Sequence, residues 1–147
     1  MSIDVQTRPA GIATIAFSLL NPIPFGMFVG ALIFDAVYID STDVMWVKSA
    51  AWLLAIGLLF AVIPRLINLA WVWFSRRQRS SGADKTAFFL YLLGVVAAIF
   101  NSFVHSRDAL ATMPTGLWLS ILTVVLVALA HVLTAAQGPT MIEGARA

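Results

Sequence analysis

The chain of 147 residues contains no cysteine. That absence excludes disulfides, thiolate-ligated metals, cysteine-held iron–sulfur clusters and covalent attachment of c-type haem. Charge is also scarce: charged residues make up 11% of the chain against 61% hydrophobic ones, and mean hydropathy is +0.93. Soluble globular domains carry about 25% charged residues, so this composition is that of an integral membrane protein. The sequence shows no glycine-rich phosphate loop, no clustered metal ligands and no nucleophile spaced with a base. Gly116-x-x-x-Ser120 is not the G-x-S-x-G of a nucleophile elbow. No metal is therefore expected, and the chain is read as non-enzymatic. The formal charge of +2 and pI of about 9.5 come largely from one loop, so they reflect topology and do not indicate a nucleic acid partner.

What the sequence has is long apolar runs. Four spans of about 20 residues with short connections consume most of its length. The fold expected is an all-α, four-helix membrane bundle in one domain, with helices over residues 22–39, 47–74, 87–105 and 117–136. The first span is organised by residues 21–35, NPIPFGMFVGALIFD. Asn21 followed by Pro22 is a helix-start signal, because Asn caps free amides and proline suits the first helical position. Residues 11–20 are then an interfacial lead-in, or else the N-terminal part of one longer kinked helix; both readings stay open. The apolar run after Arg8 has the outline of a secretory signal, but no small-x-small site follows it, so the segment is expected to be retained. Gly26 and Gly30, and Gly94 with Ala98, are small-residue pairs that let helix backbones approach closely. Packing within the chain is the primary reading, with a homo-oligomer through the Gly26–Gly30 face as the alternative.

Residues 75–86, SRRQRSSGADKT, form a short basic loop with Arg76, Arg77, Arg79 and Lys85. Such a loop is expected in the cytoplasm, which places both termini there and the connections 40–48 and 107–114 outside. Trp71 and Trp73 suit the interface, and Pro64 with Arg65 interrupts the second span. Alternating span direction sorts the polar residues by depth. Asp35, Tyr38, Asn101, Ser102 and His105 lie towards the outer side, with Asn101 and His105 on one helix face. Asn21, Arg65, Asn68, Tyr91 and His131 lie towards the inner side. Ionisable groups at membrane depth are functional candidates, so Asp35, Asn101 and His105 form a candidate ligand or proton site and Asn21, Arg65, Asn68 and His131 a candidate inner cluster. The bland alternative for the outer group is interhelical hydrogen bonding alone. Haem b through paired histidines is excluded on spacing, since His105 and His131 are separated by roughly 20 Å of helical rise.

The segments NPIPFGMFVGALIFDAVY and WVKSAAWLLAIGLLFAVIPRLINL, followed by a basic loop and two further helices, resemble the bacterial membrane proteins grouped as domain of unknown function 2231. The likeness rests on the prolines and Asp35 of the first span and on residues 65–69. Many members look as though they carry histidines beside those prolines, where this chain has Asn21 and Phe25. The resemblance implies a multi-pass protein of the bacterial inner membrane, with redox neighbours such as periplasmic sugar dehydrogenases or Rieske-type proteins. The leading expectation is an anchor or accessory subunit for a membrane or periplasmic partner. The alternatives are an electron-transfer module binding quinone or haem b, and a small oligomeric transporter or channel.

Overall fold

In this computed structural model the described residues are 22–74 and 82–136, with side chains described except at positions 64–74 and 82–84. Among the described residues five helices form: α1 (Pro22–Ser41), α2 (Val44–Phe74), α3 (Gly82–His105), the single turn α4 (Ala109–Thr112) and α5 (Thr115–Ala136). Four of them contain stretches long and apolar enough to cross a membrane, Pro22–Ser41, Val44–Ile63, Lys85–His105 and Thr115–Ala136. The protein is an all-α membrane bundle. Residues 11–20, Asn21, Arg76, Arg77, Arg79 and the C-terminal tail lie outside the described residues, as do the side chains of Arg65, Asn68, Trp71 and Trp73.

The helices run further than the apolar stretches. α1 extends to Ser41, α2 starts at Val44 and passes through Pro64 without a break, and α3 starts at Gly82 inside the expected loop. Polarity marks where the hydrocarbon ends, and backbone hydrogen bonding continues past it. Only Thr42 and Asp43 separate α1 from α2. Thr42 adopts φ 56°, and its amide donates to the Tyr38 carbonyl at 2.8 Å, which closes α1. The Asp43 carboxylate accepts from the Met45 amide at 2.9 Å and caps α2.

The strongest helix pairings are α1 with α2 and α3 with α5, and the ring is closed by α1 with α5 and α2 with α3. Each span therefore neighbours the next in sequence, and α1 and α3 face each other across the diagonal. The central cluster holds Phe28, Leu54, Tyr91, Val95, Val127 and five alanines, Ala31, Ala50, Ala61, Ala98 and Ala130. Half of that core is thus a single methyl group, which lets the backbones close in. Large side chains face outward to lipid instead: Trp52 is 72% exposed, Phe103 65% and Trp118 66%.

The glycines divide by what surrounds them. A Cβ on Gly94 would stand 2.7 Å from Val127 Cγ2, and one on Gly30 3.0 Å from Leu53 Cδ1. Gly57 is equally tight, 2.9 Å from the Phe28 ring. Gly26 departs from the expectation of a packing role, because no atom lies within 4 Å of its added Cβ. The reason is helical phase. The buried face of α1 is Pro24, Phe28, Ala31, Asp35 and Tyr38; at about 100° per residue Gly26 lies roughly 160° from the mean direction of that face, while Gly30, at roughly 120°, sits on its flank against Leu53. Gly94→Ala is expected to destabilise the bundle by about 1–3 kcal/mol through overpacking. Gly26→Ala is expected to be neutral or up to about 1 kcal/mol stabilising. Thermal unfolding of both variants in mild detergent measures the contrast.

Candidate functional site

Asp35 sits in the fourth turn of α1 with 0% exposure, surrounded by apolar neighbours in sequence. A carboxylate so placed is costly unless every oxygen is bonded. Its partners come from the two other helices that meet at the bundle centre. His105, the last residue of α3, reaches across the diagonal and brings Nε2 to 2.7 Å from Asp35 Oδ1, with both side chains fully buried. Ser120 of α5 donates from Oγ to Asp35 Oδ2 at 2.5 Å. Asn101, one turn before His105, donates from Nδ2 to Ser120 Oγ at 2.7 Å. The Asn101 backbone carbonyl lies 3.0 Å from His105 Nδ1.

The geometry fixes how many protons the pair holds. A carbonyl only accepts, so Nδ1 of His105 carries a hydrogen. Nε2 faces a carboxylate oxygen, and a single proton between them serves either partner. The pair is therefore a neutral acid and imidazole or a carboxylate and imidazolium, the same composition in both forms. Asp35 stands between the serine and the imidazole, so the Ser120 hydroxyl is directed at the carboxylate and away from His105. This is not the serine–histidine–carboxylate order that activates a nucleophile.

Access from the nearer end of the bundle is covered by α4. Tyr38 of α1 donates from its hydroxyl to the Ala109 carbonyl at 3.3 Å, tying α4 to α1. Thr112, fully buried, donates to the Asp108 carbonyl at 3.1 Å. Gly116, just before the expected start of the last span at residue 117, lies inside α5, under the imidazole. A Cβ there would stand 2.9 Å from His105 Cε1 and 2.9 Å from Thr112 Cγ2. Glycine is needed because the ring lies directly on the helix backbone.

Three of the sequence-derived candidates, Asp35, Asn101 and His105, thus meet in one network. Ser120 completes it, and Gly116 leaves room for the imidazole; neither role was anticipated. The signal for them was Gly116 and Ser120 at i, i+4 on the last span, matching the spacing of His105 and Asn101 on its antiparallel neighbour. Of the inner candidates, Asn21 and the side chains of Arg65 and Asn68 fall outside the described residues. His131 is half-buried at the other end of α5, its Nδ1 2.8 Å from the Val127 carbonyl and its ring 5.6 Å from Phe25 and 6.0 Å from Tyr91. The two histidines do not fit a shared haem, since they occupy opposite ends of the bundle. His105 does not fit as an axial ligand, because both of its nitrogens are engaged. A quinone carbonyl meets the same obstacle, finding no unspent donor on Asp35 or His105.

Fold and site together define a multi-span membrane bundle closed around a polar centre. A family model described as "Predicted membrane protein (DUF2231)" matches residues 18–141, and the chain belongs to that family. No curated protein and no solved structure gives a significant match.

Asn can reproduce the network in its neutral form, donating from Nδ2 to His105 Nε2 and accepting from Ser120. Asp35→Asn is therefore expected to change stability by less than about 1.5 kcal/mol. Asp35→Leu, which strands both partners, is expected to cost about 3–5 kcal/mol. Gly116→Ala, displacing His105 and Thr112, is expected to cost about 1–3 kcal/mol. Unfolding midpoints of the three variants under one detergent condition test this order.

Proposed function

We propose that the protein is a non-enzymatic accessory subunit or anchor of the bacterial inner membrane, with cytoplasmic termini and a membrane or periplasmic protein as partner. The supporting observation is closure of the polar centre: both carboxylate oxygens of Asp35 and both nitrogens of His105 are spent on one another, Ser120 and Asn101. A network used up internally holds helices in place and leaves the outward faces for contact. Because the chain has no cysteine, Gly26→Cys introduces a single thiol at an exposed, uncrowded position. Crosslinking in native membranes from this thiol is expected to yield a band containing a second protein. Ala31→Cys, fully buried, is expected to yield none. A product at twice the chain mass of 15.9 kDa would replace the accessory role with self-association.

A second reading, an electron-transfer module for quinone or haem b, is favoured by the single proton shared between Asp35 and His105. Proton-coupled redox steps need such a holder, and under this reading His105 must leave Asp35 to meet either a quinone or a haem iron. The check is an oxidised and dithionite-reduced absorption spectrum of purified protein, with quinone assayed in an organic extract. A Soret band, or stoichiometric quinone lost in His105→Gln, decides for this reading. A colourless and quinone-free preparation decides for the accessory role.

A further inference from the structure

Two oxygen atoms in the middle of the bundle have no hydrogen-bond partner among the described residues, Oδ1 of Asn101 and Oγ1 of Thr123. Both residues are 0% exposed. Their positions are related through the α3–α5 register. Asn101 meets Ser120, and seven residues further along each helix Gly94 meets Val127. Three residues on from Ser120, the same antiparallel register places Thr123 level with Ala98, one turn from Asn101. Ala31, one turn from Asp35 on α1, belongs to the same layer. Ala31 and Ala98 are both fully buried, so α1 and α3 contribute only methyl groups to the layer beneath the Asp35 network.

An unpaired buried carbonyl or hydroxyl costs about 1–3 kcal/mol. Bilayer hydrocarbon offers no bulk water as a substitute partner. Two such atoms in adjacent turns, beside two alanines, match the polar lining that buried waters occupy. The chemistry of the pair is also complementary: Asn101 Oδ1 accepts only, while the Thr123 hydroxyl both donates and accepts.

We propose that one water molecule is bound between Asn101 Oδ1 and Thr123 Oγ1. It donates to the amide oxygen and accepts from the threonine hydroxyl. The water extends the network from His105 and Asp35 through Ser120 and Asn101 to Thr123, deeper along the bundle axis. It also fixes the direction of the chain. With Oδ1 turned to the water, Asn101 Nδ2 faces Ser120, and the serine hydrogen is left for Asp35.

The test is Thr123→Val, which keeps the side-chain shape and removes the hydroxyl, with Thr123→Ser as the conservative control, both in the full chain in mild detergent. With the water bound, Thr123→Val lowers the unfolding midpoint by about 2–4 °C and Thr123→Ser restores most of it. An unchanged or raised midpoint for Thr123→Val overturns the proposal, because deleting an unpartnered buried hydroxyl relieves a cost. Water-edited solid-state NMR of the unaltered protein with labelled asparagine gives an independent readout. Transfer from water to the Asn101 side-chain amide is expected, and its absence overturns the proposal. Repeating both measurements with choline in place of sodium separates water from an alkali cation on the same oxygens, since sodium dependence would make the occupant a cation.

Discussion

The contact between Asp35 and His105 spans the diagonal of the bundle and joins two helices that are not neighbours in the ring. Ser120 adds hydrogen bonds from α5 to both α1 and α3; the rest of the helix contacts are mainly packing of small and apolar side chains, which is tolerant of small rotations. A carboxylate buried in an apolar core is not tolerant in this way, because any rotation of α1 that withdraws it from His105 and Ser120 leaves charge or an unpaired acid in hydrocarbon. The polar centre therefore sets the rotational phase of α1, and the phase of α1 determines which of its glycines face a neighbour. Gly30 meets Leu53, while Gly26 faces outward.

The apolar interfaces are arranged around that constraint. α3 and α5 approach closely at Gly94, and again at Gly116, where the imidazole replaces an aliphatic side chain as the packing element. Glycine is required at the second point by His105 itself. The polar and apolar parts of the interface are thus interdependent: the backbone approach that Gly116 allows is what brings Ser120 within reach of Asp35.

Much of this was legible in the sequence, for identifiable reasons. Hydropathy defined the four spans because lipid imposes a length, and the depth of Asp35 and His105 followed from alternating span direction. Asn101 followed from its i, i+4 spacing to His105. Ser120 was harder to read, because a serine in an apolar helix most often bonds its own backbone, and its i, i+4 spacing from Gly116 gains meaning only beside the Asn101–His105 face of α3. The turn α4 is too short for any periodicity to show. The role expected of Gly26 was misplaced because a GxxxG pattern gives spacing without phase, and the phase of α1 depends on residues 70 and 85 positions away from Asp35.

Those separations have a consequence for biogenesis. Asp35 is synthesised long before His105 and Ser120, so α1 enters the bilayer with an acid that nothing yet satisfies. A lone aspartate costs about 2.5–3.5 kcal/mol at the centre of a helix on the translocon scale and less towards its end, and the deficit is relieved first by His105 on α3 and then by Ser120 on α5. A chain interrupted before α5 carries within the membrane an acid that lacks its Ser120 partner. The buried network forms only once α1, α3 and α5 are all in place.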